Sequence, residues 1–497
     1  MTSSRAVLIV PPFLKYSAGP LLGPSLLQSA ARSHGFVCDV LDMNAHYIQP
    51  RVAQRKGLGN FVGDHDKPTG TNSLSFVEKE FLEQHILPFV ATNNTYYSKE
   101  ELIRKVLFGF LTHKQVREAS TAMACQQAGT FGKWAAGIMS TWMMKDHQQN
   151  ENQRPHRHQH SDCSPNIVGL SLLHSGQVLP ATAISKIARE LWPEALIVWG
   201  GPHISGLGRA TLQRDIKKRA FAADIFVTGH AEATFVQILE QREVLKRAVR
   251  SSSPVVLDGK SQTIAPTFEH LHLYDSPLTL PAQSTLGCAY GRCAFCTYPF
   301  IEDTPQKLDL FSTVGTVVDR AQMMPSGTSV SLKDSLATST RLTEIGGCIQ
   351  GRVPWSACTK LSRRLDIKRL ADLQENGLAT LEVGLETLLP ETQRRIDKVQ
   401  PFELYEQFVK DVAQLEDMSL VVNYMVGFPW EDPAEAQSKL EDARHVLEHW
   451  LGSDRGCVEL NSFELERMAT MAKFPEAYDI NPSMIRSWPW ASVLELQ

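Results

Sequence analysis

Within the stretch GCAYGRCAFC, residues 287–296, three cysteines stand at positions 288, 293 and 296. Thiolates at such spacing are ligands for zinc or for an iron–sulfur cluster. A closed zinc site takes four ligands, usually as two CxxC-type knuckles roughly a dozen or more residues apart. Here one CxxC, Cys293–Cys296, follows Cys288 across a four-residue gap, and no second knuckle comes after it. Cys348 and Cys358 lie too far along the chain for a standard finger, although folding can bring either one near. Three thiolates suit a cubane and leave one iron open to a small molecule. Spacing and context favour that open iron–sulfur site; a ligand-sensing protein stabilised by structural zinc is the competing reading.

Such a loop needs a fold to hold it, and 497 residues predict two or three domains. The composition is that of a globular chain, and a net charge of −4 argues against a dedicated nucleic-acid binder. The N-terminal apolar run AVLIV is stopped by two prolines, which suits a buried strand better than a signal-peptide core. No apolar run reaches the roughly 18 residues of a membrane helix, so a soluble cytoplasmic protein without a membrane partner is expected. Nine cysteines, an odd number and mostly scattered, predict reduced thiols.

Residues 6–43 read as strand, helix, strand: AVLIV, SLLQSAARSHG and FVCDVLDMN, with Gly35 closing the helix. The alternation breaks near 45 and resumes near 166. Between them a helical insertion over 45–145 is predicted from SLSFVEKEFLEQHILPFV, WAAGIMSTWMM and SKEELIRKVLFGFL, the last with a capping-box start at Ser98 and Glu101. The polar segment 146–165 follows; its His147, His156, His158 and His160 read as surface loop before they read as ligands. NIVGLSLL, ALIVWGGPHIS and ADIFVTGHAEATF then resume strand and helix, giving a doubly wound α/β domain over 1–245. Residues 246–282 read as a linker with short strand pieces. Over 283–452 a second alternating series predicts a parallel (β/α) barrel, full or partial. An extension, 453–497, adds one more strand candidate, CVELNSFEL.

With these residues in view the chain resembles the radical S-adenosylmethionine (SAM) enzymes. Their usual signature is CxxxCxxC with an aromatic residue before the last cysteine; this chain reads CxxxxCxxC, one residue longer, with Phe295 in the aromatic place. The setting around Tyr290 and Gly291 is similar to the subgroup carrying an N-terminal cobalamin-binding domain, and the domain order agrees. The resemblance spans about 1–45 and 166–490. It implies that Cys288, Cys293 and Cys296 ligate a [4Fe-4S] cluster and that Phe295 lies near the SAM adenine. It also places Lys333, Asp334 and Ser335 where the family contacts the SAM amino group, although a GGE triplet is absent. Glu386 in VGLET stands at a ribose-contacting place, and Gly427 in YMVGFPWED at a turn that admits the adenine. Taken alone, these last two are a strand-end carboxylate and a turn.

For the first domain the resemblance implies cobalamin contacts from Ser171 and Leu172 in GLSLLHSG, from Gly200, Gly201 and Pro202 in WGGPH, and from Gly229, Glu232 and Thr234 in VTGHAEATF. The glycine pair would let the backbone pass under a flat corrin ring. Two departures stand out. The DxHxxG signature that supplies a histidine to cobalt is missing, Asp42 and His46 having another spacing, and GHAE stands where relatives often read GEGE. Either the cobalt has no protein histidine, which is the reading the resemblance favours, or the domain has lost its cofactor. The implied activity is methyl transfer to an unactivated carbon of a natural product or peptide; ring closure or another rearrangement without methyl transfer is the alternative. An electron donor such as flavodoxin or ferredoxin is implied as partner. Trp430, Arg467 and Lys473 are candidates for touching substrate, beside their simpler core or surface roles.

Overall fold

The structure, a computed structural model, describes residues 4–12, 18–46, 135–142, 164–216, 223–251, 254–274, 277–302, 304–486 and 492–496. Its first unit is a six-stranded parallel sheet. In chain order the strands are β1 (Arg5–Val10), β2 (Val37–Asp42), β3 (Ile167–Ser171), β4 (Leu196–Gly200), β5 (Ile225–Thr228) and β6 (Val255–Asp258), arranged 2-1-3-4-5-6. The continuous apolar runs are explained by burial on both faces. Alternation along β1 sends Val7 and Ile9 into one core layer and Ala6 and Leu8 into the other. Helices α1 (Leu22–Ser33), α2 (Val178–Leu191), α3 (Pro202–Leu207), α4 (Arg209–Ile216), α5 (Glu232–Glu240) and α6 (Arg242–Ser251) connect the strands. Of the predicted insertion, a helix over 135–142 packs Ala135 and Met139 into the first layer. The rest of it, including Ser98 and Glu101, and the four histidines of 146–165 fall outside the described residues.

The segment read as a linker supplies a strand to each sheet. Its β6 pairs with β5, while β7 (Thr279–Ala282) pairs with β10 (Ser329–Leu332) of the second unit. Between them the chain is tied to α1: Arg32 holds Glu269 through two bonds, Nη1–Oε1 2.6 Å and Nη2–Oε2 3.0 Å. Short runs such as VVLD and TLPA carry too little periodicity to be assigned a sheet before the partners are known.

The second unit is again parallel, its strands adjacent in sequence order: β7, β10, β11 (Trp355–Thr359), β12 (Leu378–Glu386), β13 (Ser419–Val426) and β14 (Gly456–Ser462). No pairing joins β7 to β14 among the described residues, so the series is the partial form of a (β/α) barrel. β14 comes from the tail, at the strand candidate CVELNSFEL. Helices α8 (Thr316–Gln322), α9 (Ser339–Ile349), α10 (Ile367–Glu375), α12 (Phe402–Ala413) and α13 (Pro433–Arg455) cover the outer face, after a short α7 (Tyr298–Ile301) and with α11 (Pro390–Arg395) between β12 and α12. The sequence reading passed over α9, whose Gly346–Gly347 pair and three hydroxyl residues lower helix propensity. A two-stranded pair, β8 (Thr285–Leu286) with β9 (Gln306–Lys307), flanks the cysteine loop. Among the described residues no helix is long and apolar enough to cross a membrane.

The carboxyl edge of the first sheet faces the cysteine-loop side of the second unit. Gly229, just after β5, lies beside the Ile301 carbonyl of α7, and His203 of α3 approaches Ser492 Oγ of the tail at 3.4 Å. Gly201, between β4 and α3, has φ 102°, and a Cβ there would stand 2.4 Å from the Leu172 carbonyl oxygen. At Gly200 an added Cβ would meet Val227 O at only 3.6 Å. Gly201→Ala is therefore expected to cost about 2–4 kcal/mol and Gly200→Ala under about 1 kcal/mol, read as denaturant midpoints. Equal losses would remove the close approach of backbones as the reason for Gly201.

Candidate active site

The cysteine loop is pinned before it begins. Asp334, at the end of β10, accepts from Ser284 N at 2.7 Å, Thr285 N at 2.9 Å and Ser284 Oγ at 2.5 Å. The buried Arg341 of α9 donates to Ser284 Oγ at 3.2 Å and to the Ser284 and Leu308 carbonyls at 2.5 and 2.6 Å. Burial pushes the Asp334 carboxyl up, against the pull of these bonds. The chain then turns through Gly287 (φ 64°) and Gly291 (φ 60°), left-handed positions that suit glycine. Further along, Ala294 N donates to Ile396 O at 3.0 Å, and Met471 N of the tail donates to Ala294 O at 3.1 Å.

Cys288, Cys293 and Cys296 are free, half-buried thiols on this loop. Gly291 N–H points at Cys288 Sγ, 3.5 Å away, and the Tyr298 backbone N–H bonds to Cys296. Burial pushes Cys293 up to about 11, against the pull of Lys398, and Cys296 up to about 12. Such thiols stay protonated near neutrality unless a cation takes the proton's place. Among the described residues no three His, Cys, Asp or Glu side chains stand gathered as a metal site, these three included. The donor chemistry nonetheless fits an iron–sulfur cluster: free thiols on one loop, with backbone N–H donors on sulfur of the kind that tune such clusters. Of the two cysteines that folding could bring near, Cys348 turns toward Leu310 at 3.7 Å in the helical layer. Cys358 of β11 faces the chamber, close enough to Cys288 for their charges to interact.

Beside the loop is an ion pair that sequence reasoning missed on one side. Glu386 ends β12 with φ 67°, where the ladder to β13 shifts register, and its Oε1 stands 2.6 Å from Lys398 Nζ. Both side chains are 11% exposed. Burial pulls the Lys398 ammonium down, but Glu386, Cys293 and Cys358 outweigh it, and the net shift is upward. Gly384 makes room for the pair: a Cβ there would stand 2.5 Å from both Glu386 Oε1 and Lys398 Nζ. The carboxylate expected at a ribose thus spends one oxygen on Lys398. A lysine twelve positions along, in the turn after α11, carries no local signal.

Aromatic residues join the loop to β13 and the tail. Phe295 meets Phe428 edge-on at 6.4 Å, Phe428 stacks on Trp430 at 5.4 Å, and Leu465, Met471 and Leu494 of the tail pack in the same cluster. Trp430 gives its Nε1–H to Thr392, and Lys473 lies over the Phe300 ring. Gly427 has φ 89°, and no atom lies within 4 Å of where its Cβ would be. That leaves an open face at this turn. Ser335 donates to Glu302, and Lys333, one residue past β10, donates its backbone N–H to the Ala282 carbonyl at 2.8 Å.

On the first unit, β3 ends at Ser171, β4 at Gly200–Gly201, and β5 at Thr228–Gly229, so small residues terminate three neighbouring strands. They fit a large flat ligand laid along that edge. Gly201 also has a reason within the protein, since the atom its side chain would strike is the Leu172 carbonyl. Leu172 is buried; Pro202 opens α3 at its first turn; Thr234 Oγ1 bonds to Asp258 O at 3.3 Å. Glu232, at the start of α5, is buried and lines a small cavity with Leu26, Gln262 and Gln283.

No protein-family model and no curated protein sequence matches the chain. Solved structures do. The radical S-adenosylmethionine methyltransferase TsrM from Kitasatospora setae, solved with cobalamin and a [4Fe-4S] cluster, is 13% identical over 95% of this chain and 77% of its own, with a TM-score of 0.55. The same enzyme with tryptophan substrate and a SAM analogue bound is 14% identical over 94% and 75%, TM-score 0.54. The cobalamin-dependent S-adenosylmethionine radical enzyme OxsB, with aqua-cobalamin and SAM bound, is 11% identical, TM-score 0.60; the match takes in 100% of this chain and 64% of that one. The chain has the fold of these enzymes, a doubly wound unit followed by a parallel β/α unit.

Breaking the Glu386–Lys398 pair from one side should strand a buried charge, so Lys398→Met is expected to cost about 3–5 kcal/mol and the double change Lys398→Met/Glu386→Leu clearly less. Because the Lys398 pKa is raised above its ordinary 10.5, its contribution is full below that pH and is lost as pH rises beyond it. Urea titrations at pH 8 and above pH 10.5 check both statements. A single variant as stable as the parent, or stability rising with alkaline pH in the parent alone, contradicts them.

Proposed function

We propose that this chain is a cobalamin-dependent radical SAM enzyme, a methyltransferase acting on an unactivated carbon of a natural product or peptide. One observation carries the reading: three free thiols on one pinned loop, with backbone donors on sulfur, stand at the mouth of a parallel β/α unit that faces the carboxyl edge of a doubly wound unit. The shared fold with TsrM and OxsB supports it. When bound, the [4Fe-4S] cluster with SAM supplies one-electron cleavage of a carbon–sulfur bond, and cobalamin supplies a methyl carrier.

The protein's own part is binding, orientation and exclusion of water. Cys288, Cys293 and Cys296 hold the cluster, and the positive charge of Lys398 eases ionisation of the nearby Cys293. Phe295 and the open face at Gly427 receive a flat adenine ring. Glu386, its carboxylate fixed by Lys398, keeps its second oxygen for a ribose hydroxyl. Ser171, Gly200 and Gly229 would line the edge for the corrin. The tail residues Leu465, Met471 and Leu494 cover the loop at Ala294 and Phe295. The electron donor of this reading is a small redox protein of the flavodoxin or ferredoxin kind, and the exposed Arg292 on the same loop is a cation for it to meet. The free thiols of all seven described cysteines suit a reducing cytoplasm.

Anaerobically reconstituted protein should contain about four irons with acid-labile sulfide per chain. With SAM and a reductant it should form 5′-deoxyadenosine, and Cys293→Ala or Cys296→Ala should lower that rate at least a hundredfold. Methyl-labelled SAM should pass its label to the substrate. One zinc per chain, or an intact cluster that yields no 5′-deoxyadenosine, sinks the reading.

A further inference from the structure

The inner face of the second sheet is polar across β10, β11 and β12, with Val421 of β13 beside Glu382. Leu381, Val383 and Leu385 of β12, and Val330 and Leu332 of β10, pack outward against the helices, so the residues between them face the concavity. Barrel interiors are usually filled by branched apolar side chains. Here the register lines up Ser331, Ser356, Thr380 and Ser419 as one layer of hydroxyls. One step toward the mouth, Lys333, Cys358 and Glu382 lie side by side: Cys358 pairs with Glu382, and Lys333 is two residues beyond the Ser331–Ser356 pair.

Lys333 and Glu382 carry opposite charges and do not meet. Neither forms a salt bridge within 4 Å with any described residue, and Glu382 accepts only from Asn423 Nδ2, at 2.6 Å on Oε1. The two are near enough for Glu382 to raise the Lys333 pKa, although burial, the larger influence, lowers it. Between them stands only the small Cys358 thiol. Two strand spacings set the backbones about 9.6 Å apart. An α-amino acid spans about 3 Å from nitrogen to carboxylate oxygen, and two charge-assisted contacts add about 2.8 Å each. The sum, about 8.6 Å, is comparable with that backbone spacing.

We propose that Lys333 and Glu382 form a divided ion pair that takes the substrate by a free amino-carboxylate group, the carboxylate on Lys333 and the ammonium on Glu382. The substrate class is then a free α-amino acid, or a chain ending in one, and not a scaffold without charge. This rests on the concavity being the substrate chamber of the proposed enzyme.

The test is calorimetric binding to the cluster-reconstituted full-length protein, with the free amino acids as a panel, each against its primary amide and its N-acetyl derivative. At least one amino acid should bind, with both derivatives at least tenfold weaker, and saturating SAM should leave that affinity within threefold. In Lys333→Met the acid and the amide should bind alike; in Glu382→Gln the free and N-acetylated amines should bind alike, each variant checked for folding by circular dichroism. The parent protein's ligand discrimination alone decides the matter if a variant fails to fold. No binding from the panel, derivatives that bind as well as the acids, or displacement by SAM overturns the pairing; displacement would give these charges to SAM instead. The measurement needs no turnover. Protein that forms 5′-deoxyadenosine yet binds no amino acid sinks this inference alone, whereas protein that binds one but cleaves no SAM sinks the functional reading.

Discussion

A buried carboxylate and a buried guanidinium meet at one serine, and the active-site geometry hangs from that meeting. Asp334 and Arg341 come from successive elements of the second unit, and both fasten on Ser284, three residues before Gly287 turns the chain into the cysteine loop. Neither charge is tolerable inside protein without its bonds. Each therefore forces the strand end, the helix and the start of the loop into a single arrangement. The loop that carries the three thiols starts from that arrangement, so its entry is fixed before any ligand binds.

The far side of the loop is held differently. There the backbone of residue 294 bonds forward to Ile396 and Met471, and an aromatic cluster packs Phe295 against Phe428 and Trp430. Polar locking at the start and apolar sealing at the end suit the two surroundings. The start lies between sheet and helices, where unsatisfied charge is costly; the end is covered by the tail, which brings Leu465, Met471 and Leu494. A sheet that does not close, with polar side chains on its concave face, leaves a chamber beneath. The carboxyl edge of the doubly wound unit lies across its mouth, as open parallel sheets bind ligands beyond the carboxyl ends of their strands.

Charge in the chamber is arranged in two ways. Glu386 and Lys398 are joined, and the strain of a left-handed glutamate and a bare Gly384 are accepted to join them. Lys333 and Glu382 are kept apart by the β11 strand. A closed pair holds a wall in place, while a divided pair has bonding capacity left for something that enters.

Much of this was legible in the sequence. The thiol spacing pointed to metal ligation, and the period of the apolar runs named two parallel α/β units, because both signals are local. The turn glycines Gly201, Gly229 and Gly427 were also visible, although the reason for Gly201 was not: it is the carbonyl of Leu172, just past the end of the neighbouring strand β3. Out of reach were Arg341, Lys398, the use of Asp334 as a lock, and the sheets that the strand pieces of 246–282 join. Each of these takes its meaning from a partner dozens of residues away or on another strand. Sequence determined which ligands and which fold this protein carries, since side-chain type and periodicity are properties of single segments. Only tertiary structure decided which charges are paired, which stand open and what covers the thiols, since those depend on distances that no spacing along a chain encodes.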